Sequence, residues 1–231
     1  MFNNKDKPPP DNQNDLGVFR PAKGSAKVII GNGVKFKGEI TNADEVQVDG
    51  NADITVNTDN LVVGGQGVLK GTIDSCNADI WGKVDGVLKI SGGTYNLTGG
   101  TIVINEYQSN VFGDDEFVIT ADANVGDVTG GIVEFSVNDA GSVINLASGK
   151  KIYSLTINNA GNNTTLNSDI ELEGNFLITD GGGKLVAGSN QINIAGNWTN
   201  DDADWSGAFT HTGTVVFDGT SIQNIGGEHQ T

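Results

Sequence analysis

The chain has 231 residues, 36% of them hydrophobic, with 34 glycines, 4 prolines, one cysteine and a formal net charge of −16. That apolar content supports a sizeable core and excludes an acidic chain without fixed structure. The excess of acid, with Arg20 as the only arginine, excludes a phosphate-binding surface and with it nucleic acid as a partner.

Residues 1–26 are polar, mildly basic and without hydrophobic periodicity, and read as a flexible leader. They lack the apolar core of about 7–15 residues that marks a secretory signal. Nowhere do the roughly 18 apolar residues of a membrane-spanning helix run together. This start predicts a cytoplasmic protein. No helix-like cap is legible around residues 20–27.

From Lys27 the chain repeats itself. Val28-Ile-Ile-Gly-Asn-Gly-Val-Lys-Phe-Lys-Gly-Glu-Ile40 recurs at an offset of 33 as Leu61-Val-Val-Gly-Gly-Gln-Gly-Val-Leu-Lys-Gly-Thr-Ile73. Val48–Ala52 answers Ile80–Val84 at an offset of 32. Such self-similarity marks a solenoid, in which each coil buries its apolar side only by stacking on a neighbour. Two coils per unit give about sixteen residues a coil, the size of a narrow triangular β-helix with glycine at its corners. Runs such as Glu45-Val-Gln-Val-Asp49, Glu116-Phe-Val-Ile-Thr120 and Gln191-Ile-Asn-Ile194 alternate as half-buried strands do. Cys76 permits no internal disulfide and, beside Ala78-Asp-Ile80, is expected as a small buried core residue in a reducing compartment.

After about residue 91 the coils lengthen and turn rich in Asn, Thr and Asp. Ile170-x-Leu172-x-Gly174-Asn175-Phe176 recurs as Ile192-x-Ile194-x-Gly196-Asn197-Trp198 at an offset of 22. Gly131–Phe135 finds a more distant echo in Gly213–Phe217. The expected organisation is a leader over 1–26, a regular β-helix over 27–90 and wider β-helical repeats over 91–231, in one elongated body.

The residues of 28–90 carry a family resemblance. Ile30-Gly31-x-Gly33 with Gly38-Glu39-Ile40, Val46-x-Val48-Asp49-Gly50, Val63-Gly64 and Gly71-Thr72-Ile73 together resemble a bactofilin domain. The resemblance implies an all-β fold, a single-stranded right-handed parallel β-helix, and a bacterial cytoskeletal protein that polymerises end to end without nucleotide. Met1-Phe2 followed by Lys5 and Lys7 is similar to the membrane-targeting leader of bactofilins, which implies that Met1 and Phe2 enter an anionic bilayer while Lys5 and Lys7 attract its headgroups. The expected partners are therefore other copies of the chain and the inner face of the cell membrane. The wider repeats resemble those of bacterial surface and adhesin-like proteins, which makes a displayed stalk the rival reading.

Catalysis finds little support. Lyase chemistry needs a cation beside an acidic sugar, and the long coils hold only Lys150, Lys151 and Lys184 as bases. Asp114, Asp115 and Glu116 form one acidic group; Asp169, Glu171 and Glu173 alternate with Ile170 and Leu172 and so share a solvated face. His211 and His229 accompany no nucleophile motif. Asp202-Ala-Asp204-Trp-Ser206-Gly207 resembles the first half of a calcium loop but has Gly213 where the bidentate Glu belongs, so it reads as a polar turn. Gly181-Gly-Gly183 precedes no helix and is not a phosphate cradle. No enzyme activity, cofactor, metal or nucleotide is expected.

Overall fold

A computed structural model describes residues 26–104, 116–136, 141–159, 162–179, 184–201 and 208–227, and within them the regular elements are all β-strands. Long strands, Lys35–Val48, Asn51–Val63 and Val68–Ile80, bend around corners and pair in parallel with the coil above and below. Three ladders result. The first face passes through 27–30, 45–48, 60–63, 77–80 and 94–97. The second face passes through 35–40, 51–56 and 68–73 and continues by Thr101–Ile104, 132–135, Ser154–Ile157, Phe176–Ile178 and Trp198–Asn200 to Ile225–Gly227. The third takes in Ser75, Ile90, Ile119 and Leu146. This is the β-solenoid expected from the repeats.

The sequence echoes are the pairing register itself. Val28 pairs with Val46 and Val46 with Leu61, so the echo between Val28 and Leu61 spans two coils. Val48, Val63 and Ile80 form the second such series. Ile170 pairs with Ile192 and Phe176 with Trp198, so the offset of 22 is one coil. The likeness of Gly131–Phe135 to Gly213–Phe217 is different. Phe135 leads to Ile157 and Ile178, whereas Phe217 closes the separate ladder of Ile152, Leu172 and Ile194. Both are inward-facing strands after a glycine, on different faces.

Coil length changes along the rod. Lys35 pairs with Asn51, Asn51 with Val68 and Val68 with Lys83, so the narrow coils advance by 16, then 17, then 15 positions. Leu88 then pairs with Phe117 and Thr101 with Ile132, steps of 29 and 31. Ser142 to Thr164 is 22 and Lys151 to Glu171 is 20, while Gln191 to Thr214 is 23 and Trp198 to Ile225 is 27. The coils widen as expected after residue 91, but the widening peaks at once and partly relaxes.

Inward rows of Val, Ile and Leu fill the interior, with Val46, Val48, Ile192 and Ile194 buried and Glu45, Asn193 and Glu171 outside or at the rim. Two expectations are corrected. Cys76 is half-buried, its sulfur 3.9 Å from the Ser91 hydroxyl, and Ser75 takes the interior position instead, donating its hydroxyl hydrogen bond to the Asn77 carbonyl at 2.6 Å. Residues 116–119 do not alternate: Glu116, Phe117, Val118 and Ile119 are all buried, and a Glu116 oxygen accepts the Val143 N–H of the next coil at 2.6 Å.

The break between narrow and wide coils is bridged by a side chain. Tyr95, fully buried on the first face, accepts the Lys151 N–H at 3.0 Å and donates to the Lys151 carbonyl at 2.9 Å, far along the chain. A second polar element lies inside the wider coils, where Asn159 donates to Thr164 Oγ1 at 2.6 Å and to Ser142 Oγ at 3.3 Å, and the two hydroxyls stand 3.0 Å apart. Buried polar groups persist where they satisfy one another in this way.

Glycine is required at the second face. Gly86 has φ +147° and a Cβ there would lie 2.0 Å from the Gly71 carbonyl oxygen, which is backbone and cannot swing away. Gly86→Ala combines a left-handed backbone penalty of about 1–3 kcal/mol with a main-chain clash. Circular-dichroism melting should show a clear loss of stability for Gly86→Ala and none for Gly65→Ala, where φ is ordinary and the space open.

Candidate assembly interface

A solenoid buries each inward residue between the coils above and below, so burial falls off where a described coil has no described neighbour. The second face shows this directly. Its inward row runs from Phe36 through Ala52, Leu69 and Val84 to Phe176, Trp198 and Ile225. The members between are buried or half-buried, yet Phe36 is 40% exposed and Ile225 62% exposed. On the first-face side, Phe217 follows Ile152, Leu172 and Ile194 and is 36% exposed where those three are buried.

The narrow end is built by residues 26–40. Along 35–40 Lys35, Lys37 and Glu39 point outward and Phe36, Gly38 and Ile40 inward, the period of two that a strand imposes. Lys37 donates to Asp53 at 2.8 Å, and that hydrogen bond holds its ammonium above the usual lysine range. Lys27 pairs with Glu45 at 2.6 Å. Lys35 and Glu39 form no ion pair among the described residues.

The wide end is aromatic. Trp198 meets Phe176 edge-on at 4.9 Å and Phe209 at 4.7 Å, Phe217 lies 6.3 Å from Trp198, and His211 stacks on Phe209 at 5.3 Å. Val215 packs against the same core, and Ile222 is 91% exposed in the turn that follows. The offset-22 repeat places Phe176 beneath Trp198, but only the pairing of 184–188 with 209–211 brings Phe209 and His211 beside them.

The chemical candidates of the sequence do not converge. Lys150 donates to the Ala123 carbonyl and Lys151 pairs with Glu173, so both are held within the ladder. Asp169 and Glu171 lie on the outer face, and Asp169 accepts the Gln191 N–H at 2.7 Å. His211 bonds the Asn190 carbonyl through Nε2 at 2.9 Å. Among the described residues no group of three or more His, Cys, Asp or Glu side chains could hold a metal ion. Met1, Phe2, Lys5, Lys7, Asp114, Asp115, Gly181–Gly183, Asp202, Asp204 and His229 lie outside the described residues.

Comparison with known families gives a match over residues 28–106 to Bactofilin, described as polymer-forming cytoskeletal. The match runs beyond Ile90 and through the strand Thr94–Ile104. Neither the curated proteins nor the solved structures compared with the chain give a match.

Proposed function

We propose that this chain, whose residues 28–106 make up a bactofilin domain of the polymer-forming cytoskeletal family, is a non-enzymatic scaffold that stacks end to end into filaments without nucleotide and is held at the cytoplasmic face of the cell membrane by its leader. The observation that carries the reading is the inward row whose first member, Phe36, stands exposed at the point where the ladder expects another coil. A second copy supplies that coil, covering apolar side chains and strand edge together.

The test is assembly of purified protein by light scattering and negative-stain microscopy. Rods or filaments should form, survive apyrase and chelator, and be abolished by Phe36→Glu. A monomer at high concentration across salt conditions overturns the reading.

Membrane attachment rests on Met1, Phe2, Lys5 and Lys7. One phenylalanine with two lysines binds weakly, each lysine adding about 1 kcal/mol near an anionic surface, so retention comes from many copies acting together. Phe2→Ala should abolish co-sedimentation with anionic vesicles while leaving assembly intact. Raised salt should weaken retention only in part, because it screens the lysines and not the ring. Retention unchanged by Phe2→Ala sinks the membrane assignment.

A surface-displayed stalk is the second reading, favoured by the wider coils that lie outside the bactofilin match. Cell fractionation separates the two.

A further inference from the structure

We infer that the corner carrying Trp81, on the flank of the narrow coils, is a docking site for an arginine-bearing peptide segment of a partner protein, with the guanidinium laid on the indole between Asp49 and Asp79. The site lies away from the ends of the rod, so it is open on a single chain and does not depend on assembly.

The first argument is the exposure of the ring. Trp81 follows the inward Ile80 and stands in the turn from the first face to the second. The same corner is Gly64-Gly65 in the coil before and Thr98 followed by Gly99-Gly100 in the coil after. A Cβ at Gly65 would meet nothing within 4 Å, and one at Gly99 only the Trp81 carbonyl oxygen, at 4.0 Å. These glycines leave the indole uncovered, and Trp81 is 58% exposed. A large ring left in water on the side of a rod whose other aromatic rings pack inward or at its ends marks a contact surface.

The second argument is charge. The indole nitrogen donates to Asp79 Oδ1 at 2.6 Å, which fixes the ring plane and makes the ring richer in electrons, a better seat for a cation. Asp49, two coils before Trp81, accepts Gln47 Nε2 through Oδ2 at 2.7 Å, while its Oδ1 lies 2.0 Å from where a Cβ of Gly64 would be. Glycine at 64 thus lets this carboxylate lean toward the coil of Trp81. Asp79 pairs with Asn96, whose Oδ1 accepts the Asp127 N–H at 2.9 Å, so the acidic row continues into the next coils. Asp49, Asp79 and Asp127 form no ion pair among the described residues, and Lys83, two positions beyond Trp81, is drawn to Asp85 at 3.4 Å.

Charge complementarity selects the occupant. Carboxylates beside an aromatic face repel phosphate and anionic headgroups and attract cations. The amides that a neutral sugar would use, Gln47 and Asn96, are already bonded to Asp49 and to the Asp127 main chain. Arginine fits better than lysine, because its planar guanidinium stacks on a ring while its N–H edge reaches carboxylates at the side. Lys83 pairs with Thr101 and Thr101 with Ile132, so Ile132 lies two coils from Trp81, about 10 Å along the rod. It is 42% exposed and, with Gly99, Gly130 and Tyr153, lines a shallow hollow. About three residues of extended chain cover that distance, which places an apolar side chain of the same peptide in the hollow.

The experiment titrates the full chain with a fluorescein-labelled peptide containing the run Arg-Gly-Gly-Leu and follows its anisotropy. Trp81→Ala should weaken binding about fivefold or more, while Asp79→Asn, Asp49→Asn and lysine in place of the peptide arginine should each weaken it about threefold. Glutamate in place of that arginine should abolish binding. Ile132→Ser should remove the preference for leucine over serine at the end of the run. Glu171→Gln, on the wider coils, should change nothing, and Trp81→Ala should melt at the temperature of the parent, as a surface ring requires. Binding that persists unchanged in Trp81→Ala, or that treats arginine and lysine alike and vanishes with salt, is attraction to the net charge of −16 and overturns the inference. Trp81-dependent binding of a chitin tetrasaccharide or of phosphatidylcholine vesicles, with none of the peptide, overturns it in favour of a glycan or a lipid surface.

Discussion

Ile192→Asp should unfold the wider half of the rod at a temperature where Glu171→Ala remains native. Ile192 is buried between Ile170 of the coil below and Val215 of the coil above, so a carboxylate there would sit between aliphatic side chains. Burying an unpaired ion, with loss of the isoleucine packing on both neighbours, costs about 4 kcal/mol or more. Glu171 pairs in the same ladder but lies on the outer face, exposed above Lys151. Its removal should stay within about 0.5 kcal/mol. Because solenoid coils couple mainly to their neighbours, the Asp variant should lose protection against hydrogen exchange around 170–217 before it does so around 28–63. Equal melting temperatures for the two variants would mean that the inward face of this ladder has been assigned in reverse.

Tyr95→Phe should cost about 2–3 kcal/mol although it removes a single oxygen, because that hydroxyl serves both the N–H and the carbonyl of Lys151 and phenylalanine leaves two main-chain groups without their partner in the interior. The same hydroxyl makes stability depend on pH at the alkaline end. Burial raises the Tyr95 phenol above its usual value near 10, and the backbone hydrogen bond to Lys151 opposes this in part. A group whose folded pKa lies above its unfolded one contributes fully below the unfolded value and loses that contribution as pH rises through the folded value. Denaturant midpoints should therefore hold steady up to about pH 10 and then fall for the parent chain. Lys37, also raised, titrates in the same window in both proteins, so the difference between parent and Tyr95→Phe isolates the phenol. A parallel decline in the two would remove Tyr95 from the account.

The fold was legible because a solenoid writes its pairing register into the chain. Each coil faces a copy of itself, so a residue such as Val46 or Ile192 meets the same demand that its neighbours a coil away meet, and offsets of 33 and 22 emerge without any knowledge of the corners. What the corners do was not legible. Counting back by twos from Ile80 and Ala78 puts Cys76 inside, yet the bend at 75–77 resets the phase and Ser75 turns inward from the Ile73 side. The hydroxyl of Tyr95 was hidden for another reason, because its partner lies far along the chain, across the change in coil length. The seam of Asn159, Ser142 and Thr164 was hidden for a different reason, since Asn and Thr are abundant in this stretch and nothing local distinguishes the three that face each other inside. The exposed ends were readable only in part: Phe36 stands where the following repeat has Leu69, a core residue by pattern, and its exposure follows from the absence of a described coil before it.

One corner of the wider coils has a direction. Ser154 Oγ accepts the Asn175 N–H at 3.0 Å, Asn175 Oδ1 accepts the Asn197 N–H at 2.8 Å, and Asn197 Oδ1 accepts the Asn224 N–H at 2.9 Å. In each step the acceptor belongs to the earlier coil and the donor to the later one. A finished coil thus carries a template for the turn that follows it, and the order in which templates become available is the order in which a ribosome releases the chain. Along this series a new turn finds its side-chain acceptor already in place as it emerges, while the main-chain N–H groups of Leu155, Phe176 and Trp198 gain their acceptors only when the following coil arrives, so each coil is completed by the next.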